Sequence, residues 1–264
     1  LLGDINSIHL HKWIVGLRTQ FKVLVFSLDQ LHPNNAWIRE QEGVTAFDAQ
    51  ANATEHGSKL RYLKQLRRLK KIYTDYKPDI THAHYATSYG LLGGLCNPKN
   101  YCISLWGTDT YLFPKQSVVH RFTFKFILRQ ADYLFATSNN LAQEGEKYTA
   151  KKIEVIPFGI DTHLFHPKPQ KNDGFTVGTV KGLDLIYGID RLIDAFATFN
   201  KKYPDSQCLI YGKGPHEQQF LEQIKVLGME EKIHLKGFVA NREVPAVLNT
   251  FDVYCLYKYY SGAK

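Results

Sequence analysis

Long apolar runs are missing from this chain: stretches such as Lys22-Val-Leu-Val-Phe-Ser-Leu28 reach strand length and then stop. A helix that crosses a bilayer needs roughly 20 apolar residues, so no helical span is predicted. The first residues, Leu1-Leu-Gly-Asp4, carry neither a basic start nor an apolar signal core, and nothing there predicts secretion. Cysteine is scarce. Cys96, Cys102, Cys208 and Cys255 have no CxxC or metal-type spacing and mostly lie in apolar runs, which argues against a disulfide framework and predicts reduced, buried thiols in a cytoplasmic protein. Short-period repeats and low-complexity segments are also absent. No nucleic-acid-binding motif accompanies the lysines and arginines, so their charge is not read as a nucleic-acid site.

What is present is a chain of 264 residues with 44% hydrophobic residues, enough for a substantial core in one large domain or two ordinary ones. The net charge of +8 is uneven. Residues 1–169 hold 21 Lys and Arg against 14 Asp and Glu, while residues 170–264 hold 12 against 11. The densest basic stretch is KLRYLKQLRRLKKIY, residues 59–73, where Leu60, Leu63, Leu66, Leu69 and Ile72 recur every third residue among seven cations. That spacing predicts a basic amphipathic helix. Two readings fit it: a surface helix with its leucines in the core, or a face drawn to anionic phospholipid. A second stretch, HRFTFKFILRQ at residues 120–130, alternates aromatic and basic residues, and core packing is preferred to membrane insertion for its aromatics.

Strand-like and helical runs take turns along the chain. Strands are expected at Val23 to Leu28, Val44 to Phe47, Ile80 to His84, Tyr101 to Leu105, Tyr133 to Thr137 and Ile153 to Pro157. The proline-bearing polar stretch FHPKPQKNDG, residues 165–174, reads as a linker. Beyond it, strands are expected at Phe175 to Val180, Gln207 to Tyr211, Ile233 to Leu235 and Val253 to Leu256, with helices near 188–202, 215–227 and 243–250. Such alternation predicts an α/β fold of two doubly wound, Rossmann-like domains, residues 1–167 and 168–264. Leu1-Leu2 has the character of the last residues of a first strand, and the second domain stops after its fourth strand, so a truncated chain is expected.

In doubly wound sheets, ligands bind at the carboxyl ends of strands, where helix N-termini offer free N–H groups. Four segments fall there. In GDINSIHLHKWI, residues 3–14, Gly3 permits a tight turn and Asp4, Asn6 and Ser7 can cap a helix, with His9 and His11 capping or solvating its start. PDITHAHY, residues 78–85, sets His82 and His84 on one strand face, but no third ligand is spaced to complete a metal site. SLWGTDTY, residues 104–111, places Gly107 and Asp109 after a strand. Finally, TVGTVKGLDLIYG and LIYGKGPHEQQF bring Gly178, Lys181, Gly212 and Gly214 to two strand ends, a pattern suited to phosphate. Lys213 either reaches that phosphate or points to solvent.

Taken in order, KPDITHAHY, SLWGTDTY, ADYLFATS, IEVIPFGIDTHLFHP, LIYGKGP and KIHLKGFVANREVPAVLNTFDVYCL resemble bacterial members of glycosyltransferase family 4, retaining enzymes with the GT-B fold. The resemblance runs through most of the chain. It implies transfer of a sugar from a nucleotide diphosphate sugar to an acceptor hydroxyl, with a lipid-linked or saccharide acceptor in surface polysaccharide or glycolipid assembly, and no metal or other cofactor. It further implies donor contacts from Gly178, Lys181, Gly212, Lys213 and Gly214, an acceptor side bordered by Gly3, Asp4 and Trp106, and Asp109 and His84 as candidate catalytic residues. The implied location is cytoplasmic, peripheral on the inner face of the plasma membrane, with an anionic membrane surface as a partner.

Three positions depart from the family pattern. Trp106 stands where a histidine often precedes the glycine, and Leu185-Ile186-Tyr187-Gly188 lacks the second basic residue. The stretch Tyr257-Lys-Tyr-Tyr-Ser-Gly-Ala-Lys264 lacks the paired glutamates. These departures motivate the alternative of a degenerate, non-catalytic GT-B module that binds nucleotide or a partner; nucleotide-sugar epimerisation is a third reading.

Overall fold

The computed structural model describes residues 1–49, 61–168 and 174–257. Two compact units divide the chain, Leu1–Gly159 and Ile160–Lys264. The composition break predicts a boundary at 167/168. The contacts place it earlier because residues 160–168 are tied to the second unit, where Lys168 N donates to Asn249 Oδ1 (2.6 Å) and Asn249 Nδ2 donates to His166 O (3.2 Å).

The first unit carries strands β1 (Val23–Ser27), β2 (Val44–Asp48), β3 (Thr81–His84), β4 (Tyr101–Leu105), β5 (Tyr133–Ala136) and β6 (Ile153–Val155). Its helices are α1 (Ile8–Leu17), α2 (Leu66–Tyr76), α3 (Leu91–Gly94), α4 (Thr108–Tyr111), α5 (Val118–Gln130) and α6 (Asn139–Glu146). β1 and β2 pair in parallel, as do β3, β4, β5 and β6 in that order. Leu1 to Gly3 joins the two groups. Leu2 N donates to His82 O and His84 N to Leu2 O, both at 2.8 Å, while Phe26 N donates to Leu1 O (2.9 Å) and Gly3 N to Phe26 O (3.1 Å). The spatial order is therefore β2, β1, Leu1 to Gly3, β3, β4, β5, β6. The chain reverses its direction of travel across the sheet between Gly3 and His84, which makes their carboxyl ends the switch point at which such sheets take ligands.

Alternation along β1 shows how the strand serves two layers: Val23 and Val25 pack with Leu10 and Ile14 of α1, whereas Phe26 packs with Leu92 of α3 and Phe124 and Ile127 of α5. The basic stretch begins as a 3-10 turn, Arg61–Gln65, and continues as α2. Leu69 is fully buried, and Leu63, Leu66 and Ile72 pack against the core, so these apolar residues are occupied internally while Lys64, Arg67, Arg68, Lys70 and Lys71 face water. Lys59 and Leu60 lie outside the described residues. In α5 the preference for core packing holds only for Phe124; Phe122 and Phe126 are exposed, because the buried arc is taken by Phe124, Ile127 and Leu128.

The second unit has β7 (Thr176–Val180), β8 (Gln207–Tyr211), β9 (Ile233–Gly237) and β10 (Val253–Tyr254), parallel in the order β10-β7-β8-β9. Helices α7 (Ile189–Asn200), α8 (Glu217–Val226) and α9 (Val244–Leu248) follow the first three of these strands. Ile189, Ile193 and Phe196 of α7 and Phe220 and Ile224 of α8 close over Cys208 and Ile210. Its switch point lies between β7 and β10, so residues 181 onward stand where this sheet would take a ligand. Residues 258–264, where the missing glutamates are noted, lie outside the described residues.

Candidate functional site

In the first unit, the loops at the carboxyl ends converge on Asp109. Its carboxylate is 0% exposed. Ala86 N donates to Oδ2 (2.9 Å), Gly107 N to Oδ1 (2.8 Å) and Trp106 N to Oδ1 (3.2 Å), with Thr110 Oγ1 at 3.4 Å. Burial pushes this carboxyl above the usual carboxylate range, and the backbone donors partly offset that rise. The enclosed carboxylate ties the loops after β3 and β4 together, so the residue expected to be catalytic is, in this structure, wholly occupied by backbone donors.

His84 is likewise enclosed, 1% exposed, with both ring nitrogens unpartnered among the described residues. Its ring lies 4.1 Å from His82, 5.2 Å from Trp13 and 5.6 Å from Trp106, centroid to centroid. A Cβ at Gly3 would come within 3.4 Å of His84 Cβ and 3.1 Å of Leu10 Cδ2, so Gly3 is small because the switch point is crowded. The imidazole of His84, expected to be catalytic, is enclosed by this aromatic cluster in the structure. Asp4 is half-buried, and its Oδ1 accepts from Asn6 N (2.9 Å) ahead of Ser7, the N-cap of α1.

Trp106 is brought beside these residues and is only half-buried. One ring partner of Trp106, Phe158, was not singled out by sequence; their centroids are 5.4 Å apart. His9 does not solvate the start of α1: its ring stacks on Phe158 at 3.7 Å and meets Trp106 edge-on at 5.7 Å. Trp106 Nε1 and His9 Nδ1 are both buried without a partner among the described residues. Tyr85 follows β3 with φ +84° and its hydroxyl 2.7 Å from Thr108 Oγ1. A bulky side chain at positive φ is strained, and such strain gathers at functional sites. Its place just after HAH is the only signal the sequence offers. No group of three or more His, Cys, Asp or Glu among the described residues is placed to hold a metal.

The buried histidines make stability depend on pH. Burial lowers His82 to about 3 and His84 well below its ordinary value, the neighbouring His82 adding to the second shift. Their folded pKa values lie below the unfolded 6.5, so the unfolded chain binds more protons between these limits and stability present above 6.5 is lost as pH falls. The loss is about 1.4 kcal/mol per histidine per pH unit. At about pH 5.5 the two histidines cost roughly 2–3 kcal/mol. Urea midpoints at about pH 7 and 5.5 measure it, with His84→Phe expected to shrink the difference; equal wild-type midpoints would contradict it.

In the second unit, the glycines have packing duties. Gly178 lies in mid-strand β7, and a Cβ there would be 2.2 Å from the ring of Phe251, so it serves the core and does not face a phosphate as expected. Gly212 has φ +153°, and a Cβ would be 1.9 Å from Lys181 O; one on Gly214 would be 2.3 Å from Leu183 O. Lys181 N donates to Tyr211 O (2.9 Å), Leu183 N to Lys213 O (3.1 Å) and His216 N to Leu183 O (3.2 Å). The glycines therefore let the loops after β7 and β8 lock together. Gly212→Ala is expected to cost about 2–4 kcal/mol through strain and the lost loop contact, read as a lowered urea midpoint; a cost below about 0.5 kcal/mol would contradict this packing.

The locked loops carry two cations at the carboxyl ends of neighbouring strands. Lys181, half-buried, directly follows β7, and its Nζ lies over the Tyr187 ring, 5.7 Å from the centroid. It thus reaches toward the turn where the family pattern places a second cation. Lys213 is exposed. A depression lined by Val180, Phe251 and Tyr254 opens beside the β7/β10 switch point.

Known proteins resemble this chain in sequence and in fold. A sequence model described as "Glycosyl transferase 4-like" matches residues 1–138, and one described as "Glycosyl transferases group 1" matches residues 161–263. The alpha-monoglucosyldiacylglycerol synthase of Acholeplasma laidlawii is 25% identical over 224 residues, covering 74% of this chain and 54% of that protein. The putative teichuronic acid biosynthesis glycosyltransferase TuaC of Bacillus subtilis is 24% identical, covering 71% of this chain and 49% of its own. The chain thus spans about half the length of these curated relatives. Among solved structures, Anabaena HepE in complex with UDP superposes with a TM-score of 0.72 at 18% identity, over 94% of this chain and 70% of that one. The sucrose-phosphate synthase of Thermosynechococcus elongatus reaches 0.76 at 17% identity, over 98% and 74%. Parallel sheets in both units, loops locked at the strand ends and two family models that between them run through most of the residues make one assignment: the chain belongs to the group 1 glycosyltransferases of GT-B fold, with a glycosyltransferase 4-like first unit.

Proposed function

We propose that the protein transfers a sugar, with retention of configuration, from a nucleotide diphosphate sugar to a hydroxyl of a lipid-linked or saccharide acceptor. The observation that carries this reading is Lys181, a cation at the switch point of the second sheet, on a loop locked in place by Gly212 and Gly214. As the bond from the anomeric carbon to the diphosphate breaks, its electron pair leaves with the phosphate oxygen. A fixed ammonium there stabilises the transition state more than the ground state. A UDP-sugar is the natural first donor to try, since UDP occupies HepE. The half-buried indole of Trp106, flanked by His9 and Phe158, offers a sugar ring an apolar face. No resident metal or cofactor is assigned to either unit. The free cysteines fit a cytoplasmic, reducing setting, and no helix among the described residues is long and apolar enough to cross a membrane.

The experiment is a panel of nucleotide sugars offered with glycolipid and saccharide acceptors, reading released nucleotide and the anomer of the product. Transfer with retention supports the reading, and neither transfer nor slow hydrolysis with any donor sinks it. The non-catalytic alternative draws on Trp106 in place of a histidine; saturable nucleotide binding without turnover would assign it.

A further inference from the structure

We propose that Tyr187 is a positioning residue for Lys181, its ring holding the ammonium at the switch point of the second sheet without neutralising it. The proposal rests on the assignment of Lys181 to the departing diphosphate. Tyr187 occupies the place before Gly188 where the family pattern has its second cation and this chain has an aromatic ring. Lys181 Nζ lies over that ring, 5.7 Å from its centroid, where the negative face of the aromatic quadrupole attracts it. The same ring covers the following residue: a Cβ on Gly182 would stand 3.5 Å from Tyr187 Cε2.

The ring is itself fixed. It ends a 3-10 turn, Leu185–Tyr187, that Asp184 caps by accepting from Ile186 N (3.1 Å). Tyr187 N donates to Asp184 O (3.0 Å), and Gly188 N donates to Leu185 O (2.9 Å), with Gly188 at φ +60° closing the turn. Tyr187 also packs against the core cluster that holds Leu183, Ile189 and Ile193. Its ring is thus anchored by backbone and core together, whereas a lysine on its long flexible stem is not ordered by its own loop.

A carboxylate would order Lys181 as well, but it would cancel the field that a departing phosphate needs and would repel that phosphate. Among the described residues no carboxylate lies within ion-pair distance of Lys181. Asp184, three residues on, caps the turn and faces His216 Nδ1 at 3.9 Å. An aromatic face orients the cation and leaves its charge whole. Holding the ammonium in place before the bond breaks is preorganisation, so its benefit falls on the transition state and is read in kcat.

The first readout needs no turnover. In NMR spectra of the full chain with isotope-labelled lysine, the ring current of Tyr187 is expected to move the Lys181 ε-methylene protons upfield, a signal assigned by its loss in Lys181→Ala. The signal should persist in Tyr187→Phe and vanish in Tyr187→Leu. The second readout is transfer from a UDP-sugar. Tyr187→Leu is expected to lower kcat about tenfold with KM little changed. Tyr187→Phe, which keeps the ring, should recover most of that loss, and Tyr187→Leu added to Lys181→Ala should cost nothing further. Tyr187→pentafluorophenylalanine keeps the ring's shape but inverts the charge of its face, so it should behave like the leucine variant even if leucine loosens the core. A signal indifferent to Tyr187→Leu, wild-type kcat in that variant, equal losses with phenylalanine and leucine, or a further loss in the double variant would each overturn the assignment. If no donor is turned over, the proposed transfer fails, while the NMR signal still decides whether Tyr187 holds Lys181.

Discussion

Replacing Asp109 by alanine lowers the free energy of unfolding by about 3–5 kcal/mol, a large share of what a domain of this kind possesses. The carboxylate, 0% exposed, accepts from three backbone N–H groups on two different loops. Hydrogen bonds to a charged acceptor are worth about 1.5–3 kcal/mol each when a partner is removed, and the stranded donors of Ala86, Trp106 and Gly107 would then be buried without replacement. Asp109→Asn keeps the volume but turns an NH2 group toward N–H donors, so it should recover little. Urea unfolding at neutral pH measures both. The loops after β3 and β4 should also exchange their amide hydrogens faster in the variants, including Tyr85, whose positive φ is held by its contact with Thr108. An alanine variant within about 1 kcal/mol of wild type would show that the network does not hold these loops.

The second large effect is on rate. Lys181→Ala is expected to slow transfer from a UDP-sugar by about 100-fold to 1000-fold, the loss seen when one preorganised stabiliser of a developing charge is removed. Most of the loss should fall on kcat, because the diphosphate gains charge as the bond breaks. Lys213→Ala should cost less than about tenfold: Lys213 is exposed, so its side chain is neither desolvated nor fixed. Single-turnover rates of the two variants against wild type measure the contrast. Equal losses would remove Lys181 from its special place, and no loss in either would remove both loops from the reaction.

Much of the fold was legible because it is local. The strand over Val23 to Leu28 forms as Val23–Ser27, and the one over Ile80 to His84 as Thr81–His84; the helix at 188–202 forms as Ile189–Asn200. Apolar period and turn residues carry such elements. The site was less legible because its reasons are distant in sequence. The glycine at 178 answers to Phe251, and those at 212 and 214 answer to the backbone of Lys181 and Leu183. Each looked like room for a phosphate when its real neighbour could not be seen. His9 finds Phe158 only after the sheet brings α1 beside the end of β6. In α5 the alternation of aromatic and basic residues revealed a helix but not its rotation, which the packing of Phe124, Ile127 and Leu128 decides. For Asp109 the sequence did not show the partners: a carboxylate two residues after a glycine can cap backbone donors as readily as it can meet a substrate.

The most direct measurement is amide hydrogen exchange of the protein with and without saturating UDP. Slowed exchange concentrated in Lys181 to Gly188 and Gly212 to His216, and lost in Lys181→Ala, is the predicted result, because the loop after β7 stands at the switch point of the second sheet and the loop after β8 is hydrogen-bonded to it. Protection confined to other segments, or none at all, would contradict the claim that the loops after β7 and β8 hold a nucleotide diphosphate.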